Sequence, residues 1–143
     1  MQLHEAHHRG VLDDLRVQYE PTCWRPLDDG TGSALKPDLF IVIGHHDEDL
    51  VLLIEVDNGT EHAGALAWKL ALYREHYASG REQRAEGVFP SVLWLVPSER
   101  RAAQLETAIE RFAGPRLHRV LLGEELLEHL TNNNNEPKGG DHA

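Results

Sequence analysis

Three nearly continuous apolar runs mark the chain: LFIVI (39–43), LVLLIEV (50–56) and SVLWLV (91–96). Runs of this kind are typical of strands that are covered on both faces. The polar loop GHHDED separates the first two runs, so we expect them to form a tight antiparallel hairpin. The pattern therefore predicts a central sheet that is sandwiched by helices.

Two helices are predicted from apolar residues at helical spacing. The first covers residues 61–79, and its stripe consists of Leu66, Leu70, Tyr73 and Tyr77. The second follows Ser98, a plausible N-cap, and ends at Gly114-Pro115. A last strand is expected at LHRVLL (117–122) and a short final helix at EELLEHL (124–130).

The N-terminal region is less regular. Residues 4–19 favour a helix, because Leu12, Leu15 and Tyr19 recur at helical spacing, although Gly10 interrupts it. TCWRPL (22–27) is a possible edge strand, since the proline in it lacks an N–H for a central ladder. The resulting order of helix, three strands, helix, strand, helix, strand predicts an α/β fold with three layers and a mixed sheet.

Length, charge and cysteine usage narrow the class of protein. The 143 residues suit a single domain, which we place at 1–131, and the polar tail 132–143 is expected to be disordered. A lone cysteine and the lack of any long apolar span indicate a cytoplasmic protein without a membrane segment. The formal net charge of −10 disfavours non-specific attraction to DNA, so DNA contact would need a local basic patch.

The acids near the hairpin raise a question about charge. If Ile43 faces Leu50, the same register places Asp38 opposite Glu55 and Lys36 opposite Asp57. Directly opposed residues of antiparallel strands point to one face, and facing carboxylates repel unless a proton or a cation lies between them. Mg²⁺ takes oxygen ligands, so Asp38 and Glu55 could hold it.

A simpler interpretation treats these acids as strand-end residues at a solvated rim, with Lys36 and Asp57 as a weak surface pair. Lys69 lies at the border of the first helix's apolar stripe, where its ammonium could reach the acids and stabilise phosphate charge. The alternative for Lys69 is an ordinary lysine that buries only its stem.

Other candidate chemistry is weaker. The ten histidines show no metal-binding spacing such as H-E-x-x-H, which favours solvated side chains. Three tryptophans are expected in the core or at its edge, with base stacking as the alternative: Trp24, Trp68 and Trp94. One region is rich in arginine, and we expect it to be a solvated helix face, with a phosphate-binding patch as the alternative. Its residues are Arg100, Arg101, Arg111, Arg116 and Arg119.

The predicted order of helices and strands, together with the segments KPD (36–38) and EVD (55–57), resembles the PD-(D/E)xK nuclease superfamily. That superfamily has a restriction-endonuclease-like core. That resemblance implies that Asp38 and Glu55 are ligands of Mg²⁺ or Mn²⁺. It also implies a lysine where this chain has Asp57. Some members of the superfamily move the lysine to the following helix, and Lys69 matches that position. The resemblance thus implies a catalytic set of Asp38, Glu55, Lys69 and the substituted position Asp57.

A longer series of segments is similar to the replication-relaxation family of mobile-element proteins: PDLF, LIEVDNGTE, KLALY and FPSVLWLVPSER, between residues 37 and 101. The resemblance implies a role in plasmid replication or DNA relaxation. Similar proteins carry an N-terminal winged-helix region, whereas only residues 1–36 precede this core. We therefore expect either a fragment or a shortened relative that binds DNA with a partner protein.

Two functional hypotheses remain at this level. The first is a non-catalytic binding or accessory module with a nuclease-like fold, which would serve DNA-relaxation complexes through protein contacts. The missing motif lysine and the acidic charge favour it. The second is a Mg²⁺-dependent DNA endonuclease that uses Asp38, Glu55 and Lys69, which the retained pair of acids favours.

Overall fold

The computed structural model describes residues 14–27, 32–45, 48–113 and 116–126. Its centre is a five-stranded sheet of order β1-β4-β5-β6-β7. The strands of this sheet are β1 (Asp14–Tyr19), β4 (Leu39–His45), β5 (Glu48–Val56), β6 (Ser91–Val96) and β7 (His118–Leu122). A separate two-stranded sheet consists of β2 (Arg25–Pro26) and β3 (Ala34–Leu35).

The hairpin and its register agree with the sequence-based prediction. Strands β4 and β5 pair antiparallel with Ile43 opposite Leu50. Strand β5 then pairs parallel with β6, and β6 pairs parallel with β7. The sheet is therefore mixed, and each parallel connection contains a helix, as a crossover between parallel strands requires.

Strand β1 corrects the prediction of a first helix over residues 4–19. Residues 14–19 form an antiparallel edge strand on β4, and residues 4–13 lie outside the described part. Leu15 and Val17 pack against the sheet core. They alternate with polar residues, which is the period-two pattern of a strand. Spacings of three and four residues in the same short segment also fit a helix, and pairing with β4 decides between the two.

The small sheet confirms the predicted short strand near Pro26. Strand β2, which contains Pro26, pairs antiparallel with β3. Next to this pair the Leu27 N–H donates a hydrogen bond to the Ser33 carbonyl, with an N–O distance of 2.9 Å. Leu27 and Leu35 are buried, so the small sheet closes one side of the core.

A buried ion cluster fixes the small sheet to the helices. Glu82 lies 2.9 Å from Arg25 Nε and 2.8 Å from His76 Nε2. Burial raises the pKa of Glu82, but the hydrogen bond with His76 and the charge of Arg25 together lower it by more than burial raises it. The net shift of the pKa is therefore downward. His76 is only 3% exposed, so the prediction of solvated histidines is wrong for this residue.

The helices are α1 (Ala63–Ser79), α2 (Arg81–Glu86) and α3 (Glu99–Phe112). Gly80 ends α1 with a φ of 73°, a backbone conformation that favours glycine. The Ser98 side chain accepts a hydrogen bond from the Arg101 N–H and caps α3 as predicted. The buried stripe of α1 consists of Leu66, Leu70, Tyr73 and His76. Tyr77, which the sequence pattern assigns to this stripe, is instead 38% exposed.

The core has two parts, one on each face of the sheet. Helices α1 and α3 share a cluster with Phe40, Leu53 and Trp94 on one face. Ile41, Leu52 and Leu93 belong to the second cluster, on the opposite face, and are at most 1% exposed. The α/β class and the mixed sheet are thus confirmed. The predicted helices on both faces are not confirmed: both long helices in the described residues pack on one face, because their apolar stripes share a single core cluster.

Some expectations concern residues that are outside the described ranges. The helix predicted at 124–130 is described only to residue 126, where a 3₁₀ turn covers Gly123–Glu125. The tail 132–143 is outside the described part, and the domain limits 1–131 stay a prediction. Among the described helices, none has both the length and the apolar character needed to cross a membrane.

Candidate functional site

The paired ends of β4 and β5 bring Asp38 and Glu55 together. Asp38 directly precedes the Leu39–Ile54 pair, so it stands opposite Glu55 and on the same face, which is the face of α1. The Asp38 Oδ2 oxygen accepts the Val56 N–H at 2.7 Å. The predicted apposition of Asp38 and Glu55 is therefore confirmed.

Glu55 is enclosed rather than exposed at a rim. The residue is 3% exposed, and its Oε2 accepts a hydrogen bond of 2.5 Å from the Tyr73 hydroxyl. Its Oε1 lies 3.6 Å from Lys69 Nζ. Burial raises the pKa of Glu55 to about 7, and the Tyr73 hydrogen bond and the Lys69 charge offset only part of that rise. A carboxyl group with this pKa is partly protonated at neutral pH.

Lys69 reaches the acids as predicted, but it has a second partner. Its Nζ lies 2.8 Å from Glu61 Oε1 and 6.0 Å from the centre of the Trp94 ring. Burial lowers the pKa of Lys69, whereas the hydrogen bond to Glu61 and the charge of Glu55 raise it, and the net shift is upward. The ammonium thus stays charged and bridges two carboxyl groups.

Asp57 has a different environment, although it is only two residues further along. Arg101 of α3 binds both of its oxygens, with Nε–Oδ2 and Nη2–Oδ1 distances of 2.6 and 3.2 Å. The Gly59 N–H donates to Oδ1 at 2.9 Å. The predicted surface pair of Lys36 and Asp57 is wrong: Asp57 is buried, and Lys36 Nζ lies 4.8 Å from the Trp24 ring centre.

Behind Glu55 three aromatic rings lie in contact, an arrangement that the sequence did not predict. The Tyr73 ring is fully buried and meets the rings of Trp94 and His118 edge-on, at centroid distances of 6.3 and 5.4 Å. Trp94 Nε1 donates to His118 Nδ1 at 3.0 Å. Burial lowers the pKa of His118 to about 4, so its ring is neutral at physiological pH. Tyr73 lies one turn after Lys69, and this i, i+4 spacing could have suggested that both reach Glu55.

The arginines in and after α3 have different environments in the folded protein. Arg101 is 8% exposed and engaged with Asp57, so it is unavailable to a phosphate. Arg100 and Arg119 are exposed, as a solvated face predicts.

A metal ion at this site would depend on Asp38 and Glu55. In the described residues no group of three or more His, Cys, Asp or Glu side chains is arranged to hold one. Two carboxylates are enough for Mg²⁺ when water and phosphate oxygens complete its shell. Here Asp38 already accepts one backbone N–H, and Glu55 would have to lose its proton to become a ligand.

Beside Glu55 a pocket of about 340 Å³ opens at the surface. Its side chains include those of Lys36, Glu55, Trp68, Lys69 and Leu72, and the segment Gly32–Leu35 forms one wall. Trp68 is 64% exposed, so the expectation that it belongs to the core or its edge is wrong.

The family model for replication-relaxation proteins matches residues 1–92, which include the hairpin, Asp38, Glu55 and all of α1. The chain belongs to the replication-relaxation family. No curated protein and no solved structure matches it significantly. The PD-(D/E)xK core and the roles of Asp38, Glu55, Lys69 and Asp57 stay predictions.

Proposed function

We propose that this replication-relaxation domain is a binding or accessory module that contacts DNA during the replication or relaxation of a plasmid or other mobile element. Membership of the family supports the process. The observation that favours a module is the enclosure of Glu55, which is 3% exposed and has its two oxygens engaged by Tyr73 and Lys69. A metal ligand needs an oxygen that is open to the ion.

The position of Asp57 also favours a module. Nucleases that resemble this chain use a lysine there, whereas Asp57 is held by Arg101 and links β5 to α3. A buried acid with a bidentate arginine partner contributes to the fold and cannot replace a catalytic ammonium. These contacts support a structural role for Asp57 in the proposed module.

A Mg²⁺-dependent endonuclease is the second candidate, and the Lys69 Nζ–Glu55 Oε1 distance of 3.6 Å favours it. Asp38 and Glu55 would hold Mg²⁺ or Mn²⁺, and the bound ion would supply Lewis acidity for phosphodiester hydrolysis. Lys69 would stabilise charge on the phosphate, and Tyr73 would orient the Glu55 carboxyl group.

A plasmid assay distinguishes the two candidates. Supercoiled plasmid is incubated at low salt with the wild type, Glu55→Gln and Lys69→Met, with either Mg²⁺ or EDTA. Arg74→Met is the matched control, because it removes an exposed cation from the same helix. We expect plasmid to be retained in a gel shift with EDTA and to stay intact with Mg²⁺.

Two results would contradict this expectation. Nicking by the wild type that falls about 10²–10³-fold in Lys69→Met, but not in Arg74→Met, would establish the endonuclease instead. Failure to retain supercoiled, linear or single-stranded DNA would contradict direct DNA contact by the module.

A further inference from the structure

We propose that the pocket beside Glu55 binds an unpaired nucleotide of single-stranded DNA, with its base stacked on Trp68. This inference rests on the proposed function, because it specifies which form of DNA the module contacts. The chemistry of the pocket is an aromatic face, two ammonium groups and an apolar wall in one concave surface.

The exposure of Trp68 is the first argument. Trp68 is 64% exposed, whereas Trp94 is 1% exposed in the core. Trp68 follows Leu66 by two residues, which places it about 160° around the helix from Leu66, and so on the far side from that core residue. Leu72 comes one turn later on the same side and lines the pocket with it. The fold therefore does not use this indole for core packing, and its face is available to a ligand.

The charges of the pocket are the second argument. The chain has three lysines, and two of them, Lys36 and Lys69, line this pocket. Lys36 is exposed, and Lys69 offsets part of the charge of Glu55 and Glu61. In a chain with a formal net charge of −10, such a concentration of lysine is where a phosphate could approach. A nucleotide needs this combination of an apolar face for the base and cations for the phosphate.

Size and geometry favour an unpaired base over a duplex. The pocket volume of about 340 Å³ is at the lower end of the range for small-ligand sites, which run from about 300 to 1,000 Å³. In a duplex the base faces are stacked on one another, so only an unpaired or extruded base can lie flat on an indole. Stacking of this type tolerates any base, because every base has a π-face.

The test measures fluorescence anisotropy of a labelled oligothymidine of about 15 nucleotides, single-stranded or annealed to its complement, with EDTA present. Four proteins are compared: the wild type, Trp68→Ala, Trp68→Phe and Val88→Ala. Val88 is the control, because it is also an exposed apolar residue, at 50%, but lies outside the pocket.

We expect tighter binding to the single strand than to the duplex. Trp68→Ala should weaken single-strand binding about 10-fold or more and leave duplex binding unchanged. Trp68→Phe should keep most of the affinity, because a phenyl ring also stacks, and Val88→Ala should match the wild type. Circular dichroism verifies folding, which removal of an exposed side chain should not disturb.

A salt series separates the roles of Trp68 and Lys36. Loss of one phosphate contact in Lys36→Met should reduce the slope of log K against log salt by about 0.7 for a single strand. Trp68→Ala should leave that slope unchanged, since stacking releases no counterion.

The inference and the proposed function fail in different ways. Equal affinity for single strand and duplex, unaffected by Trp68→Ala, would overturn the nucleotide pocket but leave DNA contact by the module intact. Absence of binding to either form would overturn both.

Discussion

Glu55 and Asp57 lie two residues apart at the same end of β5, and both are buried, at 3% and 6% exposure. Their partners differ. Asp57 receives two hydrogen bonds from the Arg101 guanidinium and one from the Gly59 N–H. Glu55 receives one hydrogen bond from the neutral Tyr73 hydroxyl, and its cationic neighbour Lys69 stands 3.6 Å away and is shared with Glu61.

The contrast shows that burial alone does not determine what a carboxyl group does. Desolvation disfavours the charged form of any acid, and the outcome depends on whether partners compensate for it. At Asp57 the partner is the bidentate guanidinium of Arg101. At Glu55 the compensation is partial, so its pKa rises to about 7. Two acids on the same strand end thus have different surroundings: Asp57 links β5 to α3, and Glu55 lies beside a surface pocket.

Removing Arg101 is the strongest way to test the Asp57 side of this comparison. Arg101→Met would leave a buried carboxylate without its cation, and we expect the free energy of unfolding to fall by about 3–5 kcal/mol. Urea denaturation measures this. The adjacent Arg100 is exposed, so Arg100→Met should change stability by less than about 0.5 kcal/mol. Equal small effects from both substitutions would show that the Asp57 pair does not stabilise the fold.

The Glu55 side predicts a dependence of stability on pH. The folded pKa, about 7, is above the ordinary value of 4.5, so the folded state holds a proton that the unfolded state loses first. The resulting stabilisation is complete below pH 4.5 and disappears as pH rises through 7. Relative to Glu55→Gln, the wild type should therefore lose about 2–3 kcal/mol of unfolding free energy between pH 5 and 8.

The comparison with Glu55→Gln is needed because the titration of His118 changes the free energy of unfolding with pH in the opposite direction. Its folded pKa, about 4, is below the ordinary value of 6.5, so its contribution is present above pH 6.5 and is lost as pH falls through 4. Both proteins contain His118, and its effect cancels in the difference between them. A difference that does not vary between pH 5 and 8 would contradict the raised pKa of Glu55.

Local pattern was sufficient to predict the hairpin and part of the site. The loop length set Ile43 opposite Leu50, and the register then placed Asp38 opposite Glu55. The apolar stripe of α1 turned Lys69 toward these acids, which its distance to Glu55 confirms. Contacts of this kind follow from strand alternation and helical periodicity, which the sequence displays directly.

The remaining features depend on tertiary contacts or on competing patterns. Asp57 and Arg101 are 44 residues apart, and no local period relates them. The apolar spacing in residues 14–19 fits both a helix and a strand, and only the pairing of this segment with β4 shows that it is a strand. The exposure of Trp68 has a different cause: it lies on the side of α1 away from Leu66, and a bulky apolar residue in a helix does not by itself indicate burial.

The most direct test of the difference between the two acids is the titration of the Glu55 side-chain carboxyl carbon by ¹³C NMR. The predicted midpoint is near pH 7 in the wild type. Tyr73→Phe should raise it further, because the lost hydrogen bond favoured the ionised form, and this variant keeps the buried ring. A wild-type midpoint near 4.5, the ordinary value for a glutamic acid, would contradict the account.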